Sequence, residues 1–108
     1  MDEQEFRRKA DDVMAKLRRA LIDASDDYGF DVDDAGGALT VEFEDPPAKF
    51  VISPNAPVHQ IWVSAHAKSY KLDWDHVESA FVHAESGRTL THVIETAIGK
   101  QVGEEVEL

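Results

Sequence analysis

Carboxylates are the side chains of this sequence whose grouping could do chemistry. Six acids and no base stand within twelve residues, at Asp23, Asp26, Asp27, Asp31, Asp33 and Asp34. Together with Glu42 and Glu44 of the following segment they form what we call the acidic ridge. Clustered carboxylates bind hard cations through oxygen, or they attract a basic protein surface over long range. The same residues also suit a solvated face that keeps a protein soluble, and composition alone does not decide between these interpretations.

The spacing of the ridge excludes an EF-hand. Asp23, Ser25 and Asp27 fit the first three ligand positions of such a loop. Tyr28, however, stands where the loop turns on a glycine, and Asp34 stands where it ends in a bidentate glutamate. A metal on the ridge would therefore be held in a shallow, weak site, with water completing its coordination.

No pattern typical of a catalytic centre is present. The five histidines have no HxH or HExxH spacing, and the serines and glycines form neither a GxSxG elbow nor a phosphate-binding loop. Because the chain has no cysteine, it has no thiolate nucleophile, disulfide or thiolate metal ligand. Only oxygen and imidazole ligands remain for a metal, and we expect no conventional enzyme.

The charge balance argues against nucleic acid as a partner. The 108 residues include 22 acids and 11 bases, which give a formal net charge of −11 and a surface that repels phosphate backbones. No apolar run approaches the length of a membrane span. The first residues, Met1 to Glu5, are acidic, whereas signal and transit peptides are basic. We therefore expect a cytoplasmic protein that binds neither nucleic acid nor membranes.

Two segments have the apolar spacing of helices. Residues 5–24 are predicted to form an amphipathic helix, followed by a short acidic linker. Its apolar positions are Phe6, Ala10, Val13, Met14, Leu17 and Leu21. A second helix is predicted after Arg88 and up to about Lys100, with Thr89 or Thr91 as its N-cap.

The segments between the helices have the spacing of strands. Leu39, Val41 and Phe43 alternate with polar residues, which predicts a strand with one buried face. Further strands are predicted at 49–53, 58–64, 70–74 and about 80–84. The order predicts one α+β domain, 1–108, built as a two-layer sandwich: an antiparallel sheet of five to six strands with the N- and C-terminal helices on one face.

Strand parity places a tryptophan on the solvent side of this sheet. Ile61 and Val63 are predicted to face the core, so that Gln60 and Trp62 face outward. A large aromatic residue on a polar sheet face is typical of an interface anchor, although a covering loop would also explain it. Gln60 and Trp62, with Glu42 on the outward side of the first strand, are therefore candidate partner contacts.

Four segments resemble the frataxin family, and its bacterial members above all. They are residues 36–43 (GGALTVEF), 57–64 (PVHQIWVS), 70–74 (YKLDW) and 86–90 (SGRTL). The Gln-Ile-Trp block is the most specific of them, and the resemblance spans essentially the whole chain. It implies an antiparallel sheet backed by two helices, in agreement with the fold predicted from the apolar spacing.

The resemblance also implies a function. A frataxin is an iron-binding protein of iron–sulfur cluster assembly that contacts the cysteine desulfurase and the scaffold protein, as an iron donor or an iron-dependent regulator. The implied iron, Fe2+ or Fe3+, is bound weakly at the surface. By position, the ridge keeps the family's acids at Asp23, Asp27, Asp31, Asp33 and Glu44. Asp26 and Asp34 join them as candidate iron ligands, and Gln60 and Trp62 are implied to contact the assembly machinery.

Several positions depart from the family pattern. Arg18, Arg19 and Ile22 stand near the end of the first helix, where members usually place acids, and we expect them to weaken iron binding. Ser53 stands where an asparagine is common, and Phe81 where a tryptophan is usual on the fifth predicted strand. Both changes bear on partner affinity.

Two other functions stay open at this point. The chain could be a metal-independent acidic module that binds basic residues of the same machinery. It could also oxidise or store iron through iron-induced oligomers, although it lacks the paired Glu-x-x-His helices of di-iron proteins. Without iron, a monomer is expected.

Overall fold

The computed structural model describes every residue from Met1 to Leu108 as a seven-stranded sheet and two helices. The elements are α1 (Glu3–Tyr28), β1 (Asp31–Ala35), β2 (Ala38–Glu44), β3 (Pro47–Asn55), β4 (Gln60–Ala65), β5 (Lys68–Asp75), β6 (Ala80–His83), β7 (Arg88–Thr89) and α2 (Leu90–Val102). A turn of 3₁₀ helix, Ala56–Val58, joins β3 to β4. Each strand pairs antiparallel with the next, so the predicted meander is confirmed.

Both ends of α1 are fixed by the residues that the sequence places there. The Asp2 side chain accepts a hydrogen bond from the Glu5 backbone N–H at 2.8 Å, and the acids of the first turn favour the positive end of the helix dipole. At the other end Gly29 adopts φ 70°, where its N–H donates to the Ser25 carbonyl at 2.9 Å. The helix is therefore one turn longer than predicted at its C-terminal end.

The core lies between the two helices and one face of the sheet. It contains 23 buried residues, and all of them are hydrophobic. From α1 come Phe6, Ala10, Met14, Leu17, Leu21 and Ala24; the sheet and α2 supply most of the others. Alternate sheet residues such as Glu42, Trp62 and Lys71 stay exposed, so the predicted α+β sandwich with one solvated face is confirmed.

The sheet differs from the prediction at its edges. The acidic linker expected after α1 is instead β1, which pairs with β2 from Asp31↔Glu42 to Ala35↔Ala38. At the other edge the two-residue strand β7 pairs with β6, so the sheet has seven strands and not five to six. Val58, predicted to begin a strand, lies in the 3₁₀ turn. Backbone pairing at an edge strand needs little apolar patterning, which is why the alternation of apolar and polar residues predicts neither β1 nor β7.

The N-cap of α2 is Thr89, one of the two predicted caps. Its side chain accepts a hydrogen bond from the His92 backbone N–H at 3.3 Å. Neither helix combines the length and the apolar character that crossing a bilayer requires.

Candidate functional site

The outer face of the sheet, which points away from the helices, holds two groups of predicted site residues. The first lies at the β1–β2 edge. The register sets Asp31 opposite Glu42 and Asp33 opposite Thr40, and the three acids are exposed. Since residues paired across antiparallel strands share a face, their carboxylates lie on the outer face.

Part of the acidic ridge lines one shallow concavity, which we call the acidic hollow. It has a volume of about 440 Å³ and contains five carboxylates and no base. The acids are Asp26 at the end of α1, Asp31 of β1, Glu42 and Glu44 of β2, and Asp45 of the following turn. The end of α1 and the β1–β2 hairpin thus bring together four of the predicted ridge residues, and they add Asp45.

The other ridge acids lie outside the hollow. Asp23 and Asp27 are exposed on the last turns of α1, and Asp33 lies further along β1. Asp34 pairs in register with the buried Leu39, on the helix side of the sheet, and its carboxylate lies 3.4 Å from Nε of Arg18. Asp34, one of the predicted ligands, is therefore already engaged in an ion pair with Arg18.

The acids are not arranged as a preformed metal centre. No group of three or more histidine, aspartate or glutamate side chains stands close enough to hold a metal ion. The hollow supplies only carboxylate oxygens, which match a hard cation in chemistry but not yet in geometry. A cation would have to draw these side chains together and keep water in its coordination shell.

The second group surrounds Trp62, which is 37% exposed on β4. Its indole Nε1–H donates to Oε1 of Gln60 at 2.9 Å, and Nε2 of Gln60 donates to Oδ1 of Asp73 at 3.1 Å. Nζ of Lys71 lies 4.9 Å from the centroid of the indole ring, within cation–π range. We call Gln60, Trp62, Lys71 and Asp73 the tryptophan clamp, because three side chains fix the orientation of one exposed ring.

The β4–β5 hairpin sets the register of this clamp. Trp62 pairs with Lys71 and Gln60 with Asp73, across a two-residue turn formed by His66 and Ala67. Both turn residues have positive φ, 52° and 62°, as a tight hairpin requires. Nε2 of His66 lies 3.1 Å from the Ala97 carbonyl of α2, which holds the turn against the helix layer.

Two positions noted as departures lie on opposite sides of the sheet. Ser53 of β3 pairs with Trp62, so a short side chain leaves one flank of the indole open. Phe81 is buried at 1% exposure and packs edge-to-face on Phe6 with ring centroids 5.8 Å apart. It is a core residue on the helix side of the sheet, so this departure does not alter the outer face around Trp62.

Three residues of these groups were missed in the sequence. Asp45 follows Glu44 directly and could have been included as a neighbour in the turn. Lys71 and Asp73 needed the register of the β4–β5 hairpin, for which the two residues between Ala65 and Lys68 are a signal. Trp62 and Gln60 lie on the outer face, as strand parity predicted, whereas Glu42 lines the hollow.

One family profile and three known proteins are similar to this chain. A family profile described as "Frataxin-like domain" matches residues 1–104. The chain is 35% identical over 98 residues to proteins of Pseudomonas paraeruginosa and Pseudomonas aeruginosa, each named "Iron-sulfur cluster assembly protein CyaY", covering 89% of this chain and 90% of each relative. It also resembles the solved structure of frataxin from Psychromonas ingrahamii, with a TM-score of 0.83, 28% identity and coverage of 99% and 97% of the two chains.

Proposed function

Because this chain belongs to the frataxin family, as the sequence resemblance predicted, we propose that it is an iron-binding protein of iron–sulfur cluster assembly that modulates the cysteine desulfurase–scaffold complex. We propose that it acts in the cytoplasm, as a monomer, and not as a conventional enzyme. The observation that carries the proposal is the tryptophan clamp. An indole that is exposed to solvent and yet held by Gln60 and Lys71 is preorganised for contact with another protein.

The acidic hollow and the tryptophan clamp serve different partners in this proposal. The hollow, with five carboxylates and no base, suits a basic surface of the desulfurase. The outer face around Trp62 is polar, with Ser53 and Ser64 beside the indole, and suits the scaffold protein. Asp31, Glu42 and Glu44 of the hollow lie on the same solvated sheet face as the clamp, so a single orientation of the protein can contact a desulfurase–scaffold complex with both.

Iron is the cargo or the signal in this scheme. The candidate ligands are the ridge acids Asp23, Asp26, Asp27, Asp31, Asp33, Asp34 and Glu44, of which Asp26, Asp31 and Glu44 line the hollow. Oxygen ligands suit Fe(II) and Fe(III) as hard cations. Since the acids are not preassembled around a site, we expect weak binding with several retained waters.

The absence of a preassembled site also favours the second candidate function, a metal-independent module whose acids contact basic residues of the partner directly. The two functions separate in a binding experiment with the purified desulfurase and scaffold protein. An iron-dependent regulator loses its affinity for the complex in chelator and regains it with Fe(II). A metal-independent module binds equally well in both, and the rate of cluster formation shows whether it activates or inhibits.

Iron binding itself is tested by an anaerobic amide NMR titration with Fe(II). Selective broadening at Asp26, Asp31 and Glu44 supports the hollow as the iron site. Broadening spread evenly over all exposed acids, or none at millimolar iron, contradicts it. Oxygen consumption during the same titration tests for ferroxidase activity, which we expect to be absent.

A further inference from the structure

The helix side of the molecule holds a groove that the proposed function does not use. It lies between α1, the start of α2 and the end of the sheet, and has a volume of about 620 Å³. Its apolar lining includes Leu17 of α1, Leu90 of α2, and Trp74 and Phe81 of the sheet. This size is within the usual range of ligand pockets, about 300 to 1,000 Å³. The groove lies on the opposite side of the sheet from Trp62, so it is independent of the proposed partner contacts.

The rim of this groove is basic on a strongly acidic protein. Arg8, Lys9 and Lys16 of α1 line it with one acid, Asp12, which gives three positive charges against one negative. Lys16 pairs with Asp12 at 3.1 Å, whereas Arg8 has no ion pair. The chain as a whole carries −11, so this local excess of positive charge is opposite in sign to the rest of the molecule.

Two further features add to the positive character of the groove. The N-terminus of α2 opens onto it through Thr91, and the first turn of that helix contains no acid to offset the positive end of its dipole. Nζ of Lys9 lies 4.5 Å from the centroid of Trp74, which keeps a cation beside the aromatic part of the lining. The groove thus presents an apolar floor with positive charge on two sides.

The last residue, Leu108, shows that the groove accepts an aliphatic side chain. Leu108 lines the groove, whereas Glu107 before it lines a separate concavity. The Leu108 backbone N–H donates to Oε2 of Glu95 at 2.8 Å. An aliphatic side chain therefore already lies in the groove, while Trp74 of its lining is only half-buried.

We propose that this groove binds an acidic segment of a partner protein that carries a large apolar side chain. The apolar side chain enters between Leu17 and Trp74, and the flanking carboxylates pair with Arg8 and Lys16. Charge complementarity decides the partner, because the apolar floor alone would accept many ligands and the basic rim selects acidic ones.

The test uses the whole chain and a synthetic peptide, Asp-Glu-Leu-Phe-Glu-Asp. With Trp62→Phe, the remaining tryptophan is Trp74, since the chain has two, and its emission reports on the groove. We expect a saturable change in Trp74 emission, with half-saturation below about 1 mM, and amide shifts at α1 and at the start of α2. Peptides with Lys in place of the acids, or Ala in place of Leu and Phe, are expected not to bind.

The variant R8E with K16E tests the rim. Both side chains are exposed, so the fold is expected to survive, and circular dichroism checks it. We expect the affinity for the peptide to fall by about tenfold or more. The matched control is K68E with K100E, which changes the net charge equally at exposed positions outside the groove and is expected to bind as the parent does.

Several results would overturn the proposal. They are the absence of saturation at millimolar peptide, an equal loss of affinity in the two double variants, and amide shifts on the outer face in place of the groove. Sedimentation of the chain alone provides the last test. A dimer that the peptide dissociates would assign the groove to a second copy of this chain and not to a partner.

Discussion

The acidic hollow, at the β1–β2 edge of the sheet, and the tryptophan clamp, on its outer face, are built in opposite ways. The hollow gathers five carboxylates around an open concavity, without an ion pair or a side-chain hydrogen bond among them. The clamp holds one indole by a hydrogen-bond relay from Asp73 through Gln60 and by the Lys71 ammonium. One region has charge without fixed geometry, and the other has fixed geometry with little net charge.

This difference implies two kinds of recognition. Summed charge acts over several ångströms, speeds association and weakens in salt, because counterions screen it. A prepositioned aromatic side chain acts only in contact, slows dissociation and is insensitive to salt. If the two regions act in these two ways, substitutions in the hollow should change the association rate, and substitutions in the clamp should change the dissociation rate. The two sets of effects should also differ in size.

The largest effect is expected from Trp62→Ala. If Trp62 anchors the proposed interface, its loss should reduce affinity for the proposed partner, the desulfurase–scaffold complex, by about 2 kcal/mol, roughly thirtyfold, mainly through faster dissociation. Since the side chain is partly exposed, we expect the free energy of unfolding to change by about 1 kcal/mol or less. Binding kinetics on the immobilised complex measure the affinity and its rates, and urea denaturation measures the free energy of unfolding.

The matched control for this prediction is Val77→Ala. Val77 is 93% exposed in the turn between β5 and β6, and its truncation should leave binding unchanged. Normal complex formation by a folded Trp62→Ala variant would remove the clamp from the proposed interface.

The next effect is expected from reversing charge in the hollow. Asp31→Lys with Glu42→Lys should slow association by about tenfold at low salt, while dissociation changes little. At about 1 M salt the Debye length falls to about 3 Å, and the difference from the parent should nearly vanish. Glu104→Lys with Glu105→Lys makes the same change in net charge on the tail. Equal slowing by both pairs would mean that net charge, and not the hollow, steers the encounter.

A smaller effect is expected from loosening the clamp without removing its indole. Asp73→Ala takes away the acceptor that holds Gln60, and affinity should fall about threefold as the indole gains freedom. Asp73→Asn keeps an acceptor oxygen and should restore most of the loss. The NMR signal of the Trp62 indole N–H should broaden in the alanine variant only. Unchanged line width with reduced affinity would point to a direct partner contact by Asp73.

Much of this comparison could be predicted from the sequence, because strand parity depends only on alternation. Ile61 and Val63 point inward, so Trp62 had to point outward once β4 was recognised. The partners that fix its ring could not be found in this way. They depend on the register between β4 and β5, which a turn of two non-glycine residues sets.

The division of the acids was harder to predict. The segment Asp-Val-Asp-Asp-Ala has one large apolar residue and a composition that strands disfavour, so its sequence predicts a linker. As β1 it alternates, and alternation sends Asp31 and Asp33 to the outer face but Asp34 to the helix side. A linker has no inward and outward sides, so predicting a linker cannot place Asp34 beside Arg18.

That pairing leads to the smallest predicted effect. The side chains of Arg18 and Asp34 are 51% and 47% exposed, so their ion pair should contribute between about 0 and 1 kcal/mol to stability. Arg18→Gln removes a cation beside the ridge and frees the Asp34 carboxylate. We therefore expect about twofold tighter Fe(II) binding in the anaerobic NMR titration, with little change in urea unfolding. Arg8→Gln, the same charge change near the other end of α1, should not tighten it. If both variants tighten iron binding equally, Arg18 acts only through net charge and not through its ion pair with Asp34.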